Sequence, residues 1–239
     1  MNYLSWNCRG LGSLRAVRVF GDLLKSRNPD LVFLSETLVE SKVIKELAEK
    51  FDFFDYFVVD RVGRGGVLAL MWKRSVGCKV VDHSKNYIDL HIMVGQVVDW
   101  RLTYFYGFPE SNRRQESWNL IRSLVKHDNI PWCIFGDFNN MLFVSDKAGS
   151  HLHPQSLLEG FKSAIEDSGL VELDLIGGAF MWEKSRGTEN WVRERLDRAF
   201  ADDPWWRKFS LCKLSVTHSI KSDHDPIFLE PVNVEFSRK

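Results

Sequence analysis

Cysteine is scarce in this 239-residue chain, and its placement makes the first exclusion. Cys8, Cys78, Cys133 and Cys212 stand far apart, with no Cys-x-x-Cys pair among them. Zinc-ligand patterns and a disulfide framework are therefore unsupported, and most of the four read as small buried side chains. Net charge is missing too, since 32 Lys and Arg balance 32 Asp and Glu. The whole chain exerts no long-range pull on a polyanion. No apolar run approaches the ~20 residues that cross a bilayer. The opening Met1-Asn2-Tyr3-Leu4-Ser5-Trp6-Asn7 lacks the basic-then-apolar layout of a secretion signal. An intracellular setting away from membranes, in nucleus or cytoplasm, is the expectation. Linkers, low-complexity tracts and internal repeats are also lacking, so one domain over residues 1–239 is expected.

What is present is a globular composition, 44% hydrophobic and 27% charged, with enough length for a large core. Short apolar or β-branched runs predict strands at 3–6, 31–34, 56–59, 66–72, 87–94, 97–105, 132–135, 211–216 and 227–229. Apolar residues at helical spacing predict helices over about 13–28, 40–50, 111–126 and 154–167, with a short one from Asp203. Pro154 is suited to the first helical position. Phe180-Met181-Trp182 and residues 192–200 read as a strand pair around the polar loop 183–190. Gly63-Arg64-Gly65-Gly66 and Gly95-Gln96 mark turns between antiparallel neighbours. Charge is locally uneven: Arg61, Arg64, Lys73, Arg74 and Lys79 lie between Asp60 and Asp82 with no acid among them. Such a run is either a contact face for nucleic acid or a set of solvated loop charges.

Four segments end an apolar run with polar side chains: Trp6-Asn7, Ser35-Glu36-Thr37, Gly136-Asp137-Phe138-Asn139 and Arg195-Leu196-Asp197-Arg198. A fifth, Ser222-Asp223-His224-Asp225-Pro226, stands just before the apolar Ile227-Phe228-Leu229. Loops at strand ends, held by a rigid sheet, are where catalytic groups concentrate. Glu36 closes a run that should be buried, which is costly unless it is paired, protonated or bound to a cation. Magnesium takes few protein carboxylates, so Glu36 with Asn7 and Asp223 would suffice; a salt-bridged or capping Glu36 is the plainer alternative. Asp137 and Asn139 would face one side of an extended segment, with Phe138 turned to the core, or they form an Asx-turn. His224 titrates near neutral pH, and Asp197 is the candidate carboxylate to orient its ring. The His151-x-His153 pair is a weak metal signal. Tyr106 either donates to a phosphate oxygen or packs with its hydroxyl at a rim. Trp182 either stacks on a base or belongs to the core. Together these residues equip a site for metal-assisted attack of water on a phosphate ester.

The same residues, in this order and over nearly the whole chain, resemble the endonuclease/exonuclease/phosphatase superfamily. The matching motifs are Trp-Asn-x-Arg-Gly at Asn7, Leu-Ser-Glu-Thr at Glu36, Gly-Asp-Phe-Asn at Asp137 and Asn139, Arg-Leu-Asp-Arg at Asp197 and Ser-Asp-His at Asp223 and His224. Phe180-Met181-Trp182 followed by Arg195-Leu196-Asp197-Arg198-Ala199-Phe200 looks most like the apurinic-type endonuclease domain of plant LINE-type (non-LTR) retrotransposons. The resemblance implies an α/β fold, a DNase I-like four-layer sandwich of two packed mixed sheets flanked by helices. It implies Mg2+, with Mn2+ as a substitute, at Glu36, Asn7 and Asp223. His224 oriented by Asp197 would face the scissile phosphate. Asp137 and Asn139 would place the water, and Tyr106 would bind phosphate. Arg9, Lys184, Arg186, Arg193 and Trp182 would meet DNA, the loop 183–192 near its minor groove.

The implied activity is nicking of DNA to leave a 3′-hydroxyl and a 5′-phosphate. In a retrotransposon that end primes reverse transcription, so a reverse transcriptase domain outside this sequence is an expected partner. Two departures stand out. Relatives often carry Tyr-x-Pro-Asn where this chain has Tyr106-Gly107-Phe108-Pro109-Glu110, and some carry an acid two places after the Asn, where Arg9 stands. The alternatives are abasic-site repair, an inositol-phosphate or phospholipid phosphatase on the same scaffold, and a decayed or domesticated nucleic-acid-binding domain.

Overall fold

Along the first strand, Leu4 and Trp6 join one buried cluster and Tyr3 joins another. That two-residue alternation organises the whole protein. The computed structural model describes residues 1–60, 67–149, 153–219 and 222–232. The expected turn at Gly63–Gly66, the cations Arg61 and Arg64, and His151 lie outside the described residues.

The chain opens with β1 (Tyr3–Asn7), α1 (Leu14–Arg27), β2 (Leu31–Ser35), α2 (Ser41–Lys50), β3 (Asp55–Val59) and β4 (Leu68–Trp72). It continues through β5 (Cys78–Ser84), β6 (Tyr87–Val94), β7 (Val97–Tyr106), α3 (Arg114–Leu124) and β8 (Trp132–Asp137). Then follow β9 (Lys147–Gly149), α4 (Gln155–Asp167), β10 (Val171–Glu172), β11 (Leu175–Ile176), β12 (Trp182–Lys184) and β13 (Val192–Glu194). The last elements are β14 (Asp197–Ala201), α5 (Asp203–Lys208), β15 (Lys213–Val216) and β16 (Ile227–Glu230).

Seven strands form one sheet in the order β11-β15-β16-β1-β2-β4-β3, and six form another in the order β10-β14-β8-β7-β6-β5. Both are mixed: β1–β2 and β7–β8 run parallel while most other neighbours are antiparallel. Tyr3, Phe33, Leu70, Tyr104 and Phe135 fill the space between the sheets, with Phe33 stacked on Tyr104 at 4.8 Å. Phe20, Leu23, Ile44 and Leu47 of α1 and α2 cover the outer face of the first sheet. Trp118, Ile121 and Phe161 of α3 and α4 cover the outer face of the second. The result is helix, sheet, sheet, helix. Strands such as β1, β2, β4 and β8 are buried on both faces, so they read as continuous apolar runs.

Local signals behave as their chemistry requires. Ser13 Oγ accepts from Ala16 N at 3.2 Å to start α1. Asn28 ends it in the left-handed region at φ 46, followed by Pro29. Asp202 caps α5 through Trp205 N. Pro154 stands at the cap of α4, one place before the first helical residue.

The expected single strand over 192–200 is two. β13 pairs with β12 and β9 in a separate three-stranded sheet, and β14 crosses into the six-stranded one. The break at Arg195-Leu196 is anchored by Arg198, which is fully buried and ion-paired with Asp146 and Glu172. β5 carries exposed and half-buried residues without a regular period, and its only apolar pair is Val80-Val81, too short to predict a strand. Among the described residues, no helix is long and apolar enough to cross a membrane.

Candidate active site

The residues that point between the sheets are apolar along most of each strand and become polar at one rim. In β7, Tyr104 is followed two places on by Tyr106; in β8, Phe135 by Asp137. In antiparallel β14, Ala199 is preceded two places by Asp197, and in β1 the alternation from Tyr3 ends at Asn7. Pairing places these residues side by side. Tyr106 lies opposite Asp137 across the parallel β7–β8 ladder, and Asp197 lies opposite Asp137 on its other flank. Asn7 arrives from the facing sheet, paired with Ser35 and hence beside Glu36.

A chain of contacts joins both ends of the sequence. Asn7 Nδ2 donates to Glu36 Oε1 at 2.9 Å and to Asp137 Oδ2 at 3.0 Å. Asp137 Oδ2 lies 3.8 Å from His224 Nδ1, which sits 2.8 Å from Asp197 Oδ2. Tyr106 donates its hydroxyl to Glu36 Oε1 at 2.7 Å. Ser222 Oγ donates to the Asn7 carbonyl at 2.8 Å and accepts from His224 N, and Trp6 Nε1 donates to the His224 carbonyl. Those last contacts tie the Ser222–His224 run to the end of β1. Its role was not legible in Ser222, an ordinary loop serine by sequence.

Asp137 and Asn139 meet by a different route from simple strand alternation. Asn139 is left-handed at φ 52, and its N–H donates to Asp137 Oδ1 at 2.9 Å, an Asx-turn. Its side-chain amide donates to the Gly107 carbonyl at 3.0 Å, and Phe138 does pack in the core. Glu36 (φ 51) and Arg9 (φ 47) are left-handed as well. Three non-glycine residues in this costly region at one rim mark a site whose backbone is held by its surroundings. Gly107 leaves no room for a side chain: an added Cβ would lie 2.2 Å from the Phe138 carbonyl oxygen. Gly107→Ala should therefore push the Asp137–Asn139 turn away from Asn7 and lower the melting temperature. A crystal structure of the variant with that turn unmoved would refute the account.

Electrostatics separate the members. His224 is pushed up to about 9: burial opposes its charge, but Asp197 and Asp137 outweigh burial. Burial raises the Asp197 carboxyl, Asp137 adding to the effect and His224 opposing it. The two titrate as a coupled pair. Burial, with Glu36 and Asp137 close by, holds the Tyr106 phenol far above its usual range, so it remains a donor. Burial disfavours the charge on Arg9, yet Glu36 and Asp223 together hold it above its ordinary value.

Oxygen donors dominate the rim, which suits a hard divalent cation. Asn7 Oδ1 and Asp197 Oδ1 are buried with no hydrogen-bond partner, so acceptors are open to such an ion. Asp137, Asp197 and His224 offer ligand atoms within 4.8 Å of one another.

The surrounding cations are placed unequally. Arg9 bridges Glu36 and Asp223, each at 2.9 Å. Trp182 Nε1 donates to Asp223 Oδ2 at 3.0 Å, and its ring centroid lies 6.5 Å from that of His224. Lys184 is exposed at the end of β12. Arg186 is exposed and 3.6 Å from Glu183, and Arg193 lies over the Phe180 and Trp191 rings. Glu183 N to the Asp223 carbonyl and Asp225 N to the Met181 carbonyl stitch this hairpin to the His224 segment. Sequence reading passed over Arg114, whose Nε and Nη1 are buried without a partner; a lone arginine opening a helix carries no signal of that.

Comparisons bear on this geometry. The profile of the Endonuclease/Exonuclease/phosphatase family matches residues 4–224. No curated protein matches the sequence significantly. Among solved structures, the endonuclease domain of TRAS1, a telomere-specific non-LTR retrotransposon, is 15% identical with a TM-score of 0.69, covering 96% of this chain and 97% of that one. An AP endonuclease from Archaeoglobus fulgidus is 14% identical with a TM-score of 0.68, covering 96% and 98%. The 3′ phosphatase NExo from Neisseria, bound to a product DNA hairpin, is 15% identical with a TM-score of 0.66, covering 97% and 99%. At such identities the likeness carries the fold, a DNase I-like α/β sandwich, while the profile carries the membership. The chain belongs to the endonuclease/exonuclease/phosphatase family and, with it, to the metal-dependent phosphodiesterases.

Proposed function

We propose that this chain is a magnesium-dependent endonuclease that hydrolyses a DNA phosphodiester, acting as a single domain in an intracellular setting. The observation that carries the reading is the continuous set of contacts from Glu36 through Asn7 and Asp137 to His224 and Asp197. Glu36, Asn7 and Asp223 would hold the ion, for two reasons. Glu36 and Asp223 offer carboxylate oxygens at the open edge of the rim with the unpartnered Asn7 Oδ1 beside them, whereas Asp137 and Asp197 face an imidazole that favours its proton. When bound, the ion would offset charge on the phosphate and help orient it.

Asp137 would take the proton of the attacking water, with Asn139 holding that carboxylate through the turn. The His224 imidazolium would offset charge developing on the phosphate oxygens, with Asp197 keeping the ring oriented. Tyr106 would donate to Glu36 in the resting site and to phosphate once substrate enters. Water would add to phosphorus as the bond to the 3′ oxygen breaks, and that oxygen would take a proton from solvent, leaving a 3′-hydroxyl and a 5′-phosphate. In a non-LTR retrotransposon such an end primes reverse transcription. Lys184, Arg186 and Arg193 on the hairpin would contact backbone phosphates and Trp182 the opened groove.

Supercoiled plasmid should be nicked in Mg2+ or Mn2+ and left intact in EDTA, and the nicks should be extended by a polymerase without prior end repair. Nicking in EDTA, or nicks that block the polymerase, would remove the reading. One observation favours a second one, abasic-site cleavage. A cavity of about 530 Å3 beside Asp223, lined by Met181, Trp182, Arg193 and His218, has room for an extruded sugar. Matched duplexes with and without a tetrahydrofuran abasic site decide between the two.

A further inference from the structure

Arg9 closes the open edge of the rim in an unusual way. Its Nη1 meets Glu36 Oε2 and its Nε meets Asp223 Oδ1, each at 2.9 Å. Those are the oxygens that the fold leaves open. Glu36 is held by its other oxygen, Oε1, which accepts from Asn7 Nδ2 and Tyr106. Asp223 is held by Oδ2, which accepts from Trp182 Nε1; among the described residues its Oδ1 has only Ser222 Oγ besides, at 3.5 Å. Both carboxylates would therefore keep their places without the guanidinium.

The contact is built into the backbone. Cys8 N, Gly10 N and Leu11 N donate to the carbonyls of Ser35, Glu36 and Thr37, zipping the two loops together with Arg9 and Glu36 both left-handed. The guanidinium itself is at the surface: the Arg9 side chain is 44% exposed, against 13% for Glu36. Asn7 Oδ1, buried and without a partner, remains beside the pair.

We propose that Arg9 is a resident counter-cation of the Glu36–Asp223 pair, and that a divalent ion binds there only by displacing it. Resting on the reading of this rim as a metal site, this gives Arg9 control over how much of that site is filled. One guanidinium already neutralises charge that would otherwise attract an ion, and an incoming ion must break two charge-assisted bonds. Among the described residues, loss of Arg9 leaves the two carboxylates with open oxygens and no other ion-paired cation.

Mn2+ binding to the full chain, followed by the electron paramagnetic resonance of the free ion, tests this without recourse to activity. Arg9→Ala and Arg9→Gln, each with an unchanged circular dichroism spectrum, should bind Mn2+ at least about tenfold more tightly than wild type or take up a further ion. Adding Glu36→Gln to either should cancel the gain. Wild-type binding that depends on Glu36 but is unchanged or weakened in both Arg9 variants overturns the role of Arg9 and leaves the metal site standing. No uptake by wild type or either Arg9 variant overturns both.

Discussion

Glu36→Gln should lower Mg2+-supported nicking of supercoiled DNA by at least roughly a hundredfold, with the fold intact. The substitution keeps the shape of the side chain and removes its charge. Glu36 Oε1 is the point where Asn7 and Tyr106 converge, and Oε2 faces the open edge beside Arg9. A glutamine oxygen can still accept from both donors, so the turn at Glu36 should survive. What disappears is the carboxylate that would neutralise the ion. His224→Ala should cost roughly 10²–10⁴-fold for a separate reason, the loss of a positioned cation facing the phosphate. The two losses are distinguishable, because excess Mn2+ should restore part of the activity of the first variant and none of the second. Full activity in either would end the hydrolytic assignment of this rim.

The second large effect is on stability. His224 and Asp197 are buried, and their contact is the innermost of the site. The folded-state value of His224 is raised from 6.5 to about 9, so the folded protein binds more protons than the unfolded chain between those values. The contribution of His224 is therefore fully present below pH 6.5 and fades as pH rises through about 9. Asp197 is shifted upward too, from 3.8 to about 7, so its own contribution also falls with rising pH but mostly below this window. Denaturant melts in EDTA should show wild-type stability falling between pH 6.5 and pH 9. Asp197→Asn removes the main partner that holds the proton. It should lower stability at pH 6.5 by roughly 3 kcal/mol, as one member of a buried ion pair is lost, and flatten the decline toward pH 9. An equal slope in both proteins would mean that Asp197 does not hold the proton on His224.

Much of the architecture was legible before any coordinates. The strands at Leu31–Ser35 and Leu68–Trp72 are near-continuous apolar runs, and strands buried on both faces leave that trace. Ser13, Asn28 with Pro29, and Asp203 with Pro204 mark helix ends because capping is a local matter of unsatisfied backbone groups. β5 was not legible, since an edge strand with no buried residue has neither a long apolar run nor a clean two-residue period. Nor was the split of residues 192–200, which depends on the buried pairing of Arg198 with carboxylates 52 and 26 residues away.

The site divides along the same line. By itself the sequence named the candidates: Asn7, Glu36, Asp137, Asn139 and Asp197 close apolar runs, and Asp223 and His224 stand just before one, where only a compensated polar group is tolerable. Only the tertiary structure decided how they are used together. It turned Asn139 back onto Asp137, aimed Tyr106 at Glu36, and laid Arg9 across Glu36 and Asp223. The reason is physical. Burial of a side chain follows from its own segment and that segment's period, whereas a contact between residues 27 and 214 positions apart depends on how two sheets and their rim loops pack, which no local pattern encodes.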